Sequence, residues 1–549
     1  MTQPFGHEKL IVYKKGMRFV KVGSGLLGSL PRRVAACSRR SRRLQAMIDT
    51  LYCTLNRHPY SDTLNRFAFN DGHRVACQKG KSPTDSAEVP YIQIVRPKDP
   101  MARVYRGPLR LALLLLCIFL CHAGAAEQPD TGQAFWPQWR GPDSTGASNT
   151  AKPPTTWSEN LNVRWKHPLT GKSHATPIVW GDFVYITTAD PVGEPFAPRH
   201  ADVEGAHDNV PVRRAYAHAV LAIHRRTGET AWRTDVKTAI PHEGGHYSGS
   251  LAAASPCTDG ERLYAHFGSQ GLFALNMQGK QLWQQQLGTM QTRHAHGEGS
   301  SPALHGDTLV VAWDHEGQSF IAAFDTTTGE QRWKTLRDVN TSWSSPVIIA
   351  DVDPPQVVIA ATGRVRAYRL DTGKEIWSCD GLSRNVVATP VYGDGILYAA
   401  NSYDWQALLA IRVAGATGDI TATDHLVWST KRLTPYVPSP LLYNDTIYFL
   451  RHNHNVLSGL DALSGEARHD PVRLLGMREL FASPVAASNR IYLTGRDGVV
   501  SVYDTASPPK RLAQNRLNDA FCASPALAGS ELYLRGERFL YCISADTTP

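Results

Sequence analysis

Ser301-Pro302, then Ala322-Ala323-Phe324-Asp325-Thr326-Thr327-Thr328-Gly329 and, four residues on, Trp333: this stretch decides the fold, because the chain repeats it. A Ser-Pro or Thr-Pro opens a strand pattern eight times, at Pro177, Pro256, Pro302, Pro346, Pro390, Pro440, Pro484 and Pro525. The steps between them are 79, 46, 44, 44, 50, 44 and 41 residues. A period of about 40–50 residues marks a propeller or a solenoid, whose units bury their faces only against one another. Such a scaffold carries its activity in its loops.

Each repeat continues in the same way. A tight turn leads to a strand with Tyr in a matching place: Tyr185, Tyr264, Tyr398, Tyr448, Tyr492 and Tyr533. Phe183-Val184-Tyr185-Ile186 and Thr446-Ile447-Tyr448-Phe449 are β-branched and aromatic, as strands buried on both faces are. A third strand, a Gly turn and a fourth strand with Trp follow. Gly228, Gly279, Gly329 and Gly373 precede Trp232, Trp283, Trp333 and Trp377 by four residues, and Trp428 ends a longer hairpin. These Trp residues are expected to dock one blade on the next.

The later repeats degrade. His469 stands where the sixth Trp would be, Ser507-Pro508-Pro509 replaces the seventh Gly turn, and the eighth has no fourth strand. Leu161-Asn162-Val163-Arg164-Trp165 has the look of that missing strand, with Trp165 in the docking place. The expected fold is all-β: an eight-bladed β-propeller of four-stranded antiparallel blades over residues 161–549, its ring closed by the N-terminal strand. Closure removes the free edges an open sheet exposes.

The formal charge of +9 suggests nucleic acid or a membrane surface until it is partitioned. Residues 1–100 hold 18 Lys and Arg against 7 Asp and Glu, and residues 101–125 add three Arg and no acid. From 126 onward 37 basic residues face 42 acidic ones, so the propeller is mildly acidic and nucleic acid is not an expected partner. Arg103, Arg106 and Arg110, the apolar run Leu111–Leu120 and Ala123-Gly124-Ala125 describe a secretory signal peptide beginning at Met101. The run is too short to span a bilayer comfortably. On this reading residues 1–100 are an upstream extension or disordered, 101–125 the signal, and 126–160 an approach segment; the competing reading keeps Met1 and makes 111–126 an internal anchor with a basic cytoplasmic side. The expected location is the periplasm or the exterior.

Four of the nine Cys fall in the propeller: Cys257, Cys379, Cys522 and Cys542. Cys522 and Cys542 are expected on the first and third strands of the last blade. That is too far apart for a disulfide, whose Cα atoms lie within about 7 Å.

From about 135 to 547 the repeats resemble the pyrroloquinoline-quinone-type (PQQ) propeller repeat. Trp136-Pro137-Gln138-Trp139-Arg140-Gly141-Pro142 looks like the opening of a group of secreted bacterial propellers that carry it. So do Phe267-Gly268-Ser269-Gln270-Gly271-Leu272 and Ser342-Trp343-Ser344-Ser345-Pro346. The resemblance implies two kinds of relative. Quinoprotein alcohol dehydrogenases hold the quinone and Ca²⁺ near the propeller axis over a pair of adjacent Cys, and no Cys-Cys occurs here. The propeller lipoprotein of the outer-membrane β-barrel assembly machinery binds protein and no quinone. Its lipid-anchoring Cys has no match, since the large Leu120 precedes Cys121.

Loops entering each first strand, and those joining second to third strands, are expected to share the face that rims the central channel. The third blade brings His294, His296 and Glu298 on one such loop, with Asp314, His315 and Glu316 on the other. The sixth brings His452 and His454, and other blades add His246, Trp343, Arg384, Tyr436 and Arg478. His beside carboxylate suits a metal or acid–base work, yet no metal ligand and no catalytic residue is assigned. His294 and His296, spaced by two, could share a strand face. The widest departure from the period lies between Asp190 and Ala219, with Arg199, His200, Asp202, Glu204, His207 and Asp208; it reads as a surface loop or a lid. The expected function is that of an exported, monomeric scaffold binding a partner protein or an extracellular ligand, with no cofactor and no catalysis. The alternative is a periplasmic quinone-dependent (PQQ/Ca²⁺) dehydrogenase.

Overall fold

The computed structural model describes residues 135–452 and 454–546. The expected upstream extension, the signal segment and the first residues of the approach segment lie outside them. The described chain is all-β. Eight antiparallel sheets follow one another along the sequence, each built on four strands. No helix among the described residues is long and apolar enough to cross a membrane.

Blade three shows why the sequence folds this way. Its strands are Ala303–His305, Thr308–Trp313, Ser319–Asp325 and Gln331–Arg337, in that order from the axis outward. Every residue of Thr308–Trp313 is buried, because a neighbouring blade covers each face of the middle strands. The outer strand alternates, with Trp333 buried between exposed Arg332 and Lys334.

The residue before each repeat Pro joins the blades. Proline has no N–H to donate, but the Ser or Thr ahead of it gives its N–H to the matching hydroxyl of the next blade. The Thr176 N–H reaches Ser255 Oγ at 2.9 Å, and Ser255 reaches Ser301 at 2.9 Å. The chain of bonds continues through Ser345, Thr389, Ser439 and Ser483 to Ser524, at 2.9–3.2 Å. Seven joins carry this bond, and at the eighth Thr176 Oγ1 has no partner. Ser439→Ala would strand the buried Thr389 N–H and should cost about 1–3 kcal/mol, whereas Ser439→Thr should cost much less. Urea midpoints for the two variants check this.

The docking Trp residues work between blades, each on the turn of the next. The indole N–H groups of Trp165, Trp232, Trp283, Trp333 and Trp428 donate to the carbonyls of Arg225, Met277, Thr326, Leu370 and Ala462, at 2.9–3.0 Å. Trp377 departs from the pattern and donates to Gln356 Oε1 of its own blade. There Gly418–Asp419, from the long hairpin of blade five, runs parallel to Trp377–Ser378 as a fifth strand and takes the usual place of the Gly turn.

Blade eight comprises Ala526–Ala528, Glu531–Arg535 and Phe539–Ser544, and Val163–Pro168 pairs as its fourth strand with Trp165 opposite Cys542. Glu531 binds Arg164 of that strand, Arg225 of blade one at 2.7 Å and the Tyr533 hydroxyl at 2.7 Å. The first blade absorbs part of its insertion by lengthening its middle strands to Phe183–Val192 and Ala215–His224. The rest folds over so that Asn209–Val210 pairs with Gly245–His246. Cys522 lies on the loop before blade eight and not in its first strand, and Cys542 is in the third; the four described Cys are all free.

The approach segment runs inward rather than over the surface. Trp136 is fully buried and exchanges backbone bonds with Val179. Ala147–Ser148 adds, parallel, to the inner edge of blade seven. Between them the fully buried Arg140 donates to the carbonyls of Pro440 and Pro484, on blades six and seven. Burial without a carboxylate pulls its pKa down to about 9, so it stays charged at neutral pH.

Candidate functional site

A cavity of about 470 Å³ opens at the propeller axis. The Ser and Thr residues of the interblade ring, from Ser255 to Ser524, line its axial part together with Trp139, whose indole N–H donates to Thr389 Oγ1 at 3.0 Å. Loops of several blades bring Tyr247, Trp343, Tyr403, Tyr436 and Phe481 to the same space. Trp343 is fixed by a 2.6 Å bond from its indole N–H to the Gly297 carbonyl. Tyr436 stacks on His452 with ring centroids 4.7 Å apart, and His452 is held in turn by Ser402 Oγ at 2.9 Å. Asn385 lines the cavity too, buried, and its Oδ1 has no hydrogen-bond partner.

Of the residues expected at the rim, His246, His296, Glu298, Trp343 and Tyr436 line this cavity. His294 sits just behind, 5.5 Å from His296 between ring centroids. The pair stands on the helical turn Arg293–Ala295, with His294 at φ 55°, and not on a strand face. His452 supports Tyr436, with His454 beside it at 5.3 Å. Arg384 pairs with Asp404 at 2.6 Å on the exposed surface, and Arg478 is also exposed; neither lines the cavity.

The second group on blade three is structural. Asp314 is buried against Arg337 at 2.8 Å. His315 accepts the Gln291 N–H at Nδ1, and Glu316 accepts the Thr341 N–H and hydroxyl. Asp314 thus ties its loop to the outer strand of its own blade, His315 ties it to the loop before blade three, and Glu316 ties it to the loop leading to blade four. Trp139, His174, His207, Asn385 and Tyr403 also line the cavity and are not among the residues expected at the rim. Trp139 was legible only within the Trp-Pro-Gln-Trp-Arg motif, and His207 only as one polar residue of the insertion.

The family resemblance raises a quinone with Ca²⁺, and the donors can be tested for it. Ca²⁺ takes 6–8 oxygen ligands, with carboxylates prominent. The cavity lining offers one carboxylate, Glu298, already accepting the Ser269 N–H at 2.6 Å and the Ser269 hydroxyl. Burial pushes its pKa up to about 7, and both of its oxygens are already taken up by Ser269. With no adjacent Cys pair either, this chemistry does not fit the calcium–quinone arrangement.

A second cavity of about 40 Å³ adjoins the first and shares Glu298; His218, His242, Glu243 and His266 line it. His218 Nδ1 and His266 Nε2 have no hydrogen-bond partner, and burial holds both rings down to about 4. As pH falls from about 6.5 toward 4 the unfolded chain takes protons that these rings refuse, so their contribution to stability is lost over that window. Glu243 and Glu298, both raised by burial, act in the opposite sense. The readout is therefore a difference: His266→Gln should lose less stability than the wild type between pH 7.5 and 5, in urea midpoints at each pH.

The family model described as outer membrane protein assembly factor BamB matches residues 156–351 and 317–547. No curated protein sequence matches the chain. Among solved structures, the quinohemoprotein alcohol dehydrogenase from Comamonas testosteroni is similar with a TM-score of 0.54 at 12% identity, covering 77% of this chain and 82% of that one. BamB from Moraxella catarrhalis gives 0.42 at 17% identity, over 66% of this chain and 99% of that one. A europium-containing methanol dehydrogenase gives 0.43 at 11%, over 73% and 89%. At 12% identity the likeness to the Comamonas enzyme is one of fold alone.

Proposed function

From the premise that the chain belongs to the family described as outer membrane protein assembly factor BamB, we propose that it works by binding and not by catalysis. It seats a polar extracellular ligand in the axial cavity. The observation that carries this reading is the cavity itself: aromatic faces around a ring of hydroxyls, with the unpartnered Asn385 Oδ1 in its wall. Ligand sites combine apolar and aromatic lining with a few placed polar groups in this way. Export through the Arg-led apolar segment after Met101 would put that cavity outside the cytoplasm. A partner protein that inserts a polar segment into the same space would use the same surface.

The wild type and Trp343→Ala, matched for stability, are used to capture material from the native envelope fraction. A small molecule or a protein retained by the first and lost by the second is the expected result; equal retention overturns the axial cavity as the site. Quinone with Ca²⁺ and a panel of alcohols and sugars forms the second arm. No dye reduction is expected, and saturable, stoichiometric quinone binding would overturn the non-catalytic reading.

A further inference from the structure

Three histidines remote in sequence meet at the mouth of the axial cavity. His207 comes from the insertion of blade one, His246 from the short strand that pairs with that insertion, and His296 from the loop before blade three. All three line the cavity. The ring centroids of His207 and His296 are 4.8 Å apart, as are those of His246 and His296. His294 completes a triangle, 5.1 Å from His207 and 5.5 Å from His296.

Two imidazoles on one tetrahedral ion, with metal–nitrogen bonds of about 2.0–2.1 Å, have ring centroids roughly 5 Å apart. Two of the three pairs, His207–His296 and His246–His296, already have that spacing. The other ring nitrogens are also disposed as ligands require. His207 Nδ1 is 2.9 Å from the Gly205 carbonyl; His246 Nδ1 meets Ser248 Oγ at 2.6 Å and also accepts the Ser248 N–H at 3.3 Å, so ligation through its Nε2 requires the tautomer in which Nδ1–H donates to Ser248 Oγ and the N–H contact is given up. The His296 Nε2 is buried without a hydrogen-bond partner. A histidine that gives one N–H to an oxygen leaves its other nitrogen oriented for a metal. The left-handed backbone of His294 and Ala295, at φ 55° and 52°, holds the turn that presents His296. Such backbone clusters at ligand clamps.

We propose that His207, His246 and His296 bind a divalent transition metal of the Zn²⁺ class through their Nε2 atoms, with the remaining coordination position facing the axial cavity. This departs from the sequence expectation of no metal. Imidazole nitrogens suit Zn²⁺, Cu²⁺ and Ni²⁺, and three protein ligands leave a position for water or a ligand oxygen. Among the described residues no group of His, Cys, Asp or Glu is set, as it stands, to hold an ion. Binding therefore requires rotation, chiefly of His207, whose side chain is exposed on its loop. His294 lies outside the proposed set, because its Nε2 already receives Arg293 Nε at 3.3 Å.

The test uses tag-free protein treated with a chelator and dialysed, then titrated with Zn²⁺ by calorimetry and with Co²⁺ by visible absorption. One equivalent of Zn²⁺ and the intense bands of tetrahedral Co²⁺ are expected. His207→Ala should weaken binding by about 10- to 100-fold or more without lowering the thermal midpoint of the metal-free protein, since that ring is exposed. His296→Ala should do the same to affinity, and His294→Ala should change it much less. Absence of stoichiometric binding, or binding that survives both His207→Ala and His296→Ala, overturns the proposal. Neither arm needs the ligand of the axial cavity, so the metal site stands or falls apart from the binding function.

Discussion

Asp314→Ala should cost the fold about 3–5 kcal/mol, although the residue lies on a loop of the channel face. Its carboxylate meets Arg337 twice, at 2.8 and 3.1 Å, and Arg337 also holds the Tyr368 hydroxyl of the next blade at 2.7 Å. The two side chains are 1% and 0% exposed. Removing the carboxylate leaves a guanidinium sealed between blades three and four with no anion. Replacing both partners by leucine removes that stranded charge, so Asp314→Leu with Arg337→Leu should recover most of the loss. Urea unfolding of the single and double variants decides the matter; equal losses would mean that packing, not the charge, sets the cost.

Gly329→Ala is the other large expected effect, at about 2–5 kcal/mol. Two causes add. The residue sits at φ +75°, where a side chain costs roughly 1–2 kcal/mol. An added Cβ would also stand 2.6 Å from the Trp283 ring of the preceding blade, and such overpacking costs about 1–3 kcal/mol. Gly181→Ala separates the causes, because Gly181 has φ +57° and open space around its missing Cβ. If the two substitutions cost the same, the Trp–Gly contact contributes nothing.

The blades were legible because each element of the repeat has a local physical cause that survives in one sequence. The Gly must allow positive φ, the Trp must be large and flat, and the middle strands must be apolar on both faces. What the Ser before each Pro does was not legible, since its partner is some 44 residues away and a hydroxyl acceptor leaves no periodic trace of its own. The same limit governed the site. Asp314, His315 and Glu316 carry the residue types of a functional cluster, yet bonds to Arg337, Gln291 and Thr341 consume their hydrogen-bonding capacity. His207, by contrast, is one polar residue in a polar insertion. Only the pairing of Asn209–Val210 with Gly245–His246 brings it beside His296.

The eighth blade has a consequence for how the chain is made. Its third strand, Phe539–Ser544, pairs with Val163–Pro168, so contacts nearly 400 residues apart in sequence must form together. Contacts of such separation are slow to form. A nascent chain therefore carries the 163–168 segment unpaired until the last strands emerge. An unpaired strand edge is a template for aggregation. The expected vulnerability is temporal: a stall or cleavage before residue 539 leaves seven blades made and an open edge beside them, which is what a holding chaperone would meet.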